Sequence, residues 1–286
     1  MTSRFNLSSP GALRALLRAR GLRLQRQWGQ HFLCDETVLE LIIAAAELDR
    51  QETVLEIGAG IGTLTRRLAP EVRRLFAVEI DRRLIALLRE NLAPYPNVQI
   101  VPADFLKLEL ENLLPDEPVK ALGNLPYGVS APILRRLVGQ RRHFRTAVLL
   151  LQFEVAQKLT ARPGSRMISA LGLWLQAFAQ VRLIKKIPPD SFFPAPEVSS
   201  ALVRLDFLPR PRFSADEQRF GQVVRAAFNL RRKMLRRALQ QSPLLKLSAQ
   251  QAQRALELAE IDPRRRGESL SIEEFDRLAC ALAQLG

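Results

Sequence analysis

A short apolar run that leads into three closely spaced glycines constrains the fold of this chain more than any other feature. Residues 53–57 read as a buried strand, and residues 63–68 have the spacing of a helix. Between them stand Gly58, Gly60 and Gly62, in the pattern G-x-G-x-G. Glycines at such a junction let the backbone turn sharply and pass close to a ligand, and the helix beyond offers free N–H groups. The spacing differs from G-x-G-x-x-G, so it disfavours a nicotinamide dehydrogenase.

Strands and helices alternate through the first half of the chain. Further strands are predicted at residues 75–80, 98–102 and 118–123, and helices at residues 36–48 and 82–92. Asp35 is placed to cap the first of these helices. The alternation predicts an α/β fold, a doubly wound parallel sheet whose ligand crevice lies along the carboxyl ends of the strands.

Four predicted strands end beside residues suited to ligand binding: Gly58, Glu79, Asp104 and Asn124. An acid where Glu79 stands, about twenty residues after the first glycine, is where a doubly wound fold binds ribose hydroxyls. Asp104 can accept the amino group of an adenine. A solvated carboxylate is the alternative for each acid, but all four residues fall on one rim of the sheet. Together they predict a crevice for a ligand with a ribose and an adenine.

The tetrapeptide Asn124-Leu125-Pro126-Tyr127 follows the strand at 118–123. The side-chain oxygen of Asn124 and the carbonyl of Leu125 can each accept one N–H, while the ring of Tyr127 can stack on a planar group. This arrangement predicts a grip for an exocyclic amine. Asn-x-Pro is also ordinary turn chemistry after a strand, so the functional interpretation depends on the neighbouring strand ends.

The charge of the chain is concentrated at its two ends. Lys and Arg number 43 against 29 acids, a net charge of +14. Residues 1–34 hold six arginines and no acid, and residues 208–286 hold 15 basic and nine acidic residues, whereas the middle is nearly neutral. This distribution favours a polyanionic partner, nucleic acid first. Basic faces without such a function are also common.

Cysteine and histidine are sparse and scattered. Cys34 and Cys280 fit neither a disulfide framework nor a zinc pattern, and His31 and His143 are not clustered. We therefore expect a reducing compartment and no metal. No apolar stretch is long enough to span a bilayer and the first ten residues lack the apolar centre of a signal peptide, which favours the cytoplasm. The Arg-rich start leaves a transit peptide open, although Leu13, Leu16 and Leu17 indicate a helix that stays.

The last third of the chain is predicted to be helical. An alternating strand at 200–206 closes a first domain, residues 1–207, and a Pro-rich linker at 208–211 opens a second, residues 208–286. Capping boxes are predicted at Ser214/Glu217, Ser248/Gln251 and Ser271/Glu274. Within 220–239 the predicted buried stripe comprises Val223, Val224, Ala227, Leu230 and Leu235. Four basic residues are predicted to share another face, suited to phosphates: Arg225, Arg232, Lys233 and Arg236.

Read in order, the motifs resemble the ribosomal RNA adenine N6,N6-dimethyltransferases. Members of that family dimethylate two neighbouring adenosines near the 3′ end of 16S rRNA with S-adenosylmethionine. The resemblance rests on Gly-Gln-His-Phe-Leu at 29–33, Glu-Ile-Gly-Ala-Gly-Ile-Gly-Thr-Leu-Thr at 56–65, Val-Glu-Ile-Asp at 78–81, Asp104, Asn-Leu-Pro-Tyr at 124–127, Leu-Gln-Phe-Glu-Val-Ala at 151–156, Pro-Pro-Asp-Ser-Phe-Phe-Pro-Ala-Pro at 188–196 and Ala-Phe-Asn-Leu-Arg-Arg-Lys at 227–233. It implies a Rossmann-like class I methyltransferase domain with a small all-helical C-terminal domain.

The resemblance also implies residue roles. The cofactor would be bound by His31 and Leu33 through their backbone, by Glu79 at the ribose, by Asp104 at the adenine, and by Gly58, Gly60 and Asn124. The target N6 would be gripped by Asn124 and the Leu125 carbonyl, with Tyr127 and Phe192 stacking on the base. The implied partner is 16S rRNA in the small ribosomal subunit or its precursor, bound by a monomer without membrane or metal.

The chain departs from the family pattern at four places. The family often has Asn where His31 stands and Pro where Ala59 stands. Phe153 stands where the family often has Lys or Arg, which removes a basic side chain near the site. The segment 164–169 lacks the Tyr-Gly usual in the family.

Three other functions compete with this interpretation. The 23S rRNA adenine methyltransferases of antibiotic resistance share the chemistry, but the length of the helical C-terminal domain and Phe228-Asn229 favour the small-subunit group. A protein glutamine methyltransferase would carry Asn-Pro-Pro-Tyr, and Leu125 argues against it. An assembly factor with dispensable catalysis, or an organelle transcription factor of the same fold, is disfavoured by the intact Glu79, Asp104 and Asn124.

Overall fold

A computed structural model describes Leu7, residues 9–22 and residues 30–285. Gly29 and the basic residues beyond position 22 in the N-terminal segment lie outside the described residues. The chain forms two compact units, the first made of residues up to 156 together with 182–207, the second of 157–181 and 208–286. No helix within the described residues is both long and apolar enough to cross a bilayer.

The first unit is built on a seven-stranded sheet. Its strands, in chain order, are β2 (Thr53–Ile57), β3 (Arg74–Glu79), β4 (Val98–Pro102), β5 (Val119–Asn124), β6 (Phe144–Gln152), β7 (Ala179–Ile187) and β9 (Ser200–Phe207). They lie in the order β4-β3-β2-β5-β6-β9-β7. The five strands from β4 to β6 run parallel, and β9 pairs antiparallel with β6. A separate pair joins β1 (Phe32–Leu33) to β8 (Phe192–Phe193).

Helices precede, connect and follow the parallel strands. They are α1 (Pro10–Ala19), α2 (Glu36–Ala46), α3 (Thr63–Leu68), α4 (Arg82–Leu92), α5 (Ser130–Gly139) and α6 (Phe153–Thr160). Of these, α1 and α2 lie before β2, α3, α4 and α5 connect successive strands, and α6 follows β6. Asp35 caps α2 by accepting the N–H groups of Thr37 and Val38, and Asp81 caps α4 by accepting that of Arg83. The helix indicated by Leu13, Leu16 and Leu17 is present as α1, and all three leucines are buried. The strands predicted at 53–57 and 98–102 and the helices predicted at 63–68 and 82–92 are confirmed without a shift.

The order of the sheet reverses between β2 and β5, which is where a doubly wound fold binds its ligand. Gly123 allows the two strands to approach at this point, because a Cβ on it would lie 2.5 Å from the carbonyl oxygen of Ile57. The chain then passes from Ile57 into Gly58, whose missing Cβ would lie 3.8 Å from the carbonyl oxygen of Asn124. The ends of the two strands are therefore adjacent.

The second unit contains the remaining helices. They are α7 (Ala170–Gln176), α8 (Glu217–Asn229), α9 (Leu235–Gln240), α10 (Ala249–Leu258) and α11 (Ile272–Gln284). Phe213 joins two parts of this unit, because it stacks on Phe220 at 4.0 Å and contacts the edge of Phe178 at 5.2 Å. Residues 157–181 were predicted within the first domain, but these aromatic contacts place them with the helical unit.

Two details of the predicted helical region are wrong. Asp216, not Ser214, caps α8, and the backbone and hydroxyl of Ser214 bind Asp276 instead. The helix expected through 220–239 is interrupted, because Leu230 leaves the helical conformation at φ −120° and ψ 62° and a new helix begins only at Leu235. The capping boxes at Ser248 and Ser271 are confirmed.

Candidate active site

A pocket opens at the carboxyl ends of β2, β3 and β5, over the loop at 58–62. Gly58, Gly60 and Gly62 all have positive φ, at 79°, 59° and 89°. This left-handed backbone suits glycine because it has no Cβ to collide with the chain. The N–H groups of Gly58 and Ala59 both donate to the carbonyl of Val78, at 2.9 and 3.0 Å, which fixes the loop against β3.

Glu79 closes the loop from the end of β3. Its carboxylate accepts the N–H of Gly60 at 2.6 Å and that of Asp81 at 2.7 Å. The side chain is buried, which raises the pKa of Glu79 above its ordinary value although the backbone donors favour the charged form. Each carboxylate oxygen has a further lone pair, so Glu79 can still accept a hydroxyl from a ligand.

Glu56 is a pocket residue to which the sequence assigned no role. It lies inside β2, is 1% exposed and lines the pocket, and its Oε2 atom has no hydrogen-bond partner within the described structure. Burial, together with the nearby charge of Glu79, raises the pKa of the Glu56 carboxyl to about 8. The sequence does carry a signal for Glu56, because it is an ionisable residue inside an apolar strand. Such residues are rarely buried without a partner or a function.

Asn124 ends β5 with its amide oriented. Its Nδ2 atom donates to the backbone carbonyl of His31 at 2.7 Å, which leaves Oδ1 as the accepting atom of the group. The next residue is fixed as well, because the N–H of Leu125 donates to the carbonyl of Leu150 at 3.1 Å and its side chain is buried. The two predicted acceptors of the amine grip, a side-chain oxygen and a backbone carbonyl, therefore both belong to groups held by hydrogen bonds.

Tyr127 stands beside this amide with a fixed ring. Its hydroxyl forms a 2.7 Å hydrogen bond with that of Ser200, and its ring stacks on the imidazole of His31 with centroids 5.5 Å apart. The Nδ1 atom of His31 is 2.7 Å from the carbonyl of Pro194, and a carbonyl only accepts, so Nδ1 carries a proton. Burial raises the pKa of the Tyr127 hydroxyl, which keeps it neutral.

Asp104 lies in a second, more apolar pocket that shares Gly58, Ile80 and Pro126 with the first. Its Oδ1 atom accepts the N–H of Leu106 at 2.9 Å. The two pockets are therefore contiguous, with a polar end at Glu79 and Asn124 and an apolar end beside Asp104. The structure brings together in them His31, Leu33, Gly58, Gly60, Glu79, Asp104, Asn124, Leu125 and Tyr127.

Phe192 is not among the residues that line either pocket. Its ring is 2% exposed and packs in the core cluster that contains Leu33 and Val38. A ring in that position has no free face, so the predicted stacking of Phe192 on a substrate base does not fit this structure. The sequence could not show this because a Phe among prolines can lie on either side of the strand pair that it forms.

The four basic residues predicted to bind RNA lie in the second unit, and all four are exposed. Arg225 is on α8 and Arg236 on α9, whereas Arg232 and Lys233 lie in the turn between the helices. They therefore do not share one helical face as predicted. In the predicted stripe, Val223, Val224, Ala227 and Leu235 are buried and Leu230 is half-buried.

The remaining candidate chemistry is sparse. Within the described residues no three His, Cys, Asp or Glu side chains are grouped as metal ligands would be. Cys34 and Cys280 are both free thiols. Burial raises the pKa of the Cys34 thiol to about 11, which makes it a poor nucleophile.

The sequence profile of the ribosomal RNA adenine dimethylase family matches residues 21–284. This chain belongs to that family. Ribosomal RNA small subunit methyltransferase A of Clostridium acetobutylicum is 38% identical over 268 residues, covering 93% of this chain and 96% of the relative. The protein of the same name from Alkaliphilus metalliredigens is 38% identical over 281 residues, covering 96% and 97%.

Solved structures agree with the placement in the rRNA adenine dimethylase family. A dimethyladenosine transferase from Plasmodium falciparum aligns with a TM-score of 0.73 at 25% identity, covering 87% of this chain and 96% of that chain. The 23S rRNA methyltransferase ErmE aligns with a TM-score of 0.68 at 30% identity, covering 88% and 100%. The fold class and the family predicted from the sequence are confirmed.

Proposed function

We propose that this dimethylase transfers methyl groups from S-adenosylmethionine to the N6 atoms of two adjacent adenosines near the 3′ end of 16S rRNA. The product is N6,N6-dimethyladenosine, made during small-subunit biogenesis. The observation that carries the chemistry is the Asn124 amide, oriented by the His31 carbonyl beside the ring of Tyr127. The choice of the small subunit is supported by relatives that are named for it and cover nearly the whole chain.

The residues of the pocket fit S-adenosylmethionine. Gly58 and Gly60 leave backbone exposed where side chains would obstruct a ligand, and Glu79 retains acceptor capacity for ribose hydroxyls. Asp104, among apolar walls, suits the adenine. The Oε2 atom of Glu56, which has no hydrogen-bond partner among the described residues, lies on the same pocket, and the group would meet a cationic ligand as a carboxylate once its proton is lost. The backbone of His31 and Leu33 would contact the methionine end, and the bound cofactor would supply an electrophilic methyl group on a positively charged sulfur.

The chain's own contribution to the reaction is positioning. The lone pair of adenine N6 is delocalised into the ring, which makes it a poor nucleophile. Asn124 Oδ1 and the Leu125 carbonyl would accept its two N–H groups and favour a pyramidal, more electron-rich nitrogen. Because these acceptors are already fixed, they need not reorganise when the base arrives. Each new N6–methyl bond would be accompanied by the release of one N6 proton to water, so after the first transfer the pocket must accept a methyl group in place of one N–H.

The target base has to leave its stack before it can reach this pocket. Unstacking costs a few kcal/mol, which stacking on an aromatic ring can offset. Tyr127 is the ring available for this role, since Phe192 is buried. Arg225, Arg232, Lys233 and Arg236 would contact RNA phosphates and position the substrate. A monomeric state and a cytoplasmic location remain predictions.

Nucleoside analysis by mass spectrometry tests this function. Small ribosomal subunits that lack the modification are incubated with the protein and labelled S-adenosylmethionine, with large subunits in parallel. We expect labelled N6,N6-dimethyladenosine at adjacent adenosines near the 3′ end of 16S rRNA. Label in 23S rRNA alone would assign a resistance-type activity. Cofactor binding without transfer to either subunit would overturn the enzymatic proposal in favour of an assembly factor.

A further inference from the structure

An ammonium from β7 lies over the aromatic ring that follows β6. Phe153 directly follows β6, and the Nζ atom of Lys186, on β7, lies 4.7 Å from the centroid of its ring. A cation within about 6 Å of a ring centroid is attracted to the face of the ring. The Phe153 ring therefore holds a positive charge beside the end of β6.

This pair lies near the candidate active site. The N–H of Phe153 donates to the carbonyl of Ser199 at 2.9 Å, and the neighbouring Ser200 holds the hydroxyl of Tyr127 at 2.7 Å. On the other side, Lys186 precedes by two positions the segment 188–196, whose Pro194 carbonyl lies 2.7 Å from His31 Nδ1. Short backbone connections thus join both members of the pair to residues that hold the Tyr127 ring.

The charge of Lys186 is available to a ligand. Its side chain is exposed, and within the described part of the chain no carboxylate lies within ion-pair distance of it. Arg182, on the same strand, is by contrast paired with Asp206 at 2.9 Å. Lysines on an edge strand such as β7 often serve only to prevent pairing with another sheet. Lys185 fits that role, whereas Lys186 is the one held over an aromatic ring.

We propose that Lys186, oriented by the ring of Phe153, binds a backbone phosphate of the RNA next to the target adenosine. The inference rests on the proposed rRNA substrate and adds a positioning contact for it. The ring contacts one side of the ammonium and leaves its remaining N–H donors for phosphate oxygens. Because the ring already holds the long Lys186 side chain in place, less side-chain entropy is lost when the phosphate binds.

Four variants test the pair: Lys186→Ala, Phe153→Leu, Lys185→Ala as the matched control, and Phe153→Lys combined with Lys186→Ala. The dissociation constant for unmodified small subunits is measured between 50 and 200 mM salt at fixed Mg²⁺, about the range over which phosphate contacts are lost. Steady-state methylation gives KM and kcat, and calorimetry gives the affinity for S-adenosylmethionine.

The logarithm of the affinity decreases with the logarithm of the salt concentration. For Lys186→Ala we expect this slope to become shallower by roughly 0.7–0.9, the value of one phosphate contact. KM for the subunit should rise about 5–10-fold, with kcat and cofactor affinity changed less than about twofold. Phe153→Leu should give a smaller loss, since the ammonium remains but is no longer held. The double variant should recover the wild-type slope, because the lysine at position 153 supplies the ammonium that position 186 has lost.

Equal effects of Lys185→Ala and Lys186→Ala would overturn the proposal. They would show that each lysine attracts RNA only through its charge, without a specific phosphate contact. A normal slope in Lys186→Ala, or no recovery in the double variant, would overturn it as well. Failure of the proposed function looks different: the wild-type protein would then methylate no small subunit, whatever the variants do to the salt slope.

Discussion

The side-chain amide of Asn124 donates to the backbone carbonyl of His31 across 93 positions of sequence, at 2.7 Å. This bond decides which atom of the amide meets a substrate. With Nδ2 committed, Oδ1 is the acceptor that remains, and it lies beside a ring that is itself held by Ser200. In the proposed reaction, recognition of the target amino group would therefore depend on the contact between His31 and the end of β5.

Replacing Asn124 is expected to affect methyl transfer much more than cofactor binding. We expect Asn124→Ala to lower kcat for methyl transfer about 10²–10³-fold, the usual loss when one preorganised polar group is removed from a reacting centre. Affinity for S-adenosylmethionine, measured by calorimetry, should change only a few-fold. Asn124→Asp is the isosteric control: it keeps an acceptor but turns an oxygen toward the His31 carbonyl, so it should be nearly as impaired. Unchanged methylation by Asn124→Ala would contradict the assigned role.

Tyr127 is expected to act through its ring and not through its hydroxyl. Tyr127→Phe keeps the stacking face and should retain kcat/KM within about threefold. Tyr127→Ala should lose about 5–150-fold, because stacking of a base on an aromatic ring is worth roughly 1–3 kcal/mol. Ser200→Ala removes only the partner of the hydroxyl and serves as the control for ring orientation. A large loss in Tyr127→Phe would show that the hydroxyl itself takes part.

Gly123 is expected to tolerate no side chain. A Cβ there would lie 2.5 Å from the carbonyl oxygen of Ile57, so Gly123→Ala must separate β2 from β5. Overpacking of this kind costs about 1–3 kcal/mol, and we expect a lower Tm together with weaker cofactor binding. Gly139→Ala is the matched control, since its Cβ would meet nothing within 4 Å. Equal melting temperatures for the two variants would contradict this account of the strand junction.

The sequence predicts the strands and helices between residues 36 and 124 well because local signals and burial agree there, whereas no prediction covers α5, β6 or β7. Strands of β-branched and apolar residues, glycines with positive φ and Asp caps each point to one structure. The break at Leu230 was missed because the apolar spacing continues across it, and only contacts distant in sequence decide where α9 begins. Phe192 and residues 157–181 were misplaced for the same reason: their burial is set by partners far away in the chain.

The basic turn of the second unit is expected to bind RNA phosphates although its residues do not share one helix. Arg232→Glu combined with Arg236→Glu should weaken binding to small subunits and lower the magnitude of the salt slope by roughly 1.4–1.8, the value of two contacts. The control is Arg254→Glu combined with Arg264→Glu, which changes the net charge by the same amount. Both of these arginines are exposed and engaged in local ion pairs. Equal slopes for the two double variants would place the RNA surface elsewhere.

Glu56 is expected to make the stability of the protein depend on pH. Its carboxyl has a folded pKa of about 8 against an ordinary value of 4.5, so the folded chain holds a proton there that the unfolded chain releases. This contribution to stability is complete below pH 4.5 and is lost as the pH rises toward 8, at about 1.4 kcal/mol per pH unit. Glu56→Gln cannot ionise, so its free energy of unfolding should fall less over this interval than that of the wild type.

Urea titrations at pH 5.5, 6.5 and 7.5, about one unit apart to resolve that slope, would measure the difference. Glu117→Gln, at an exposed position, should follow the wild type. Parallel curves for wild type and Glu56→Gln would mean that the carboxyl is already ionised in the folded protein, and that Glu56 meets a cationic ligand as a carboxylate without first losing a proton.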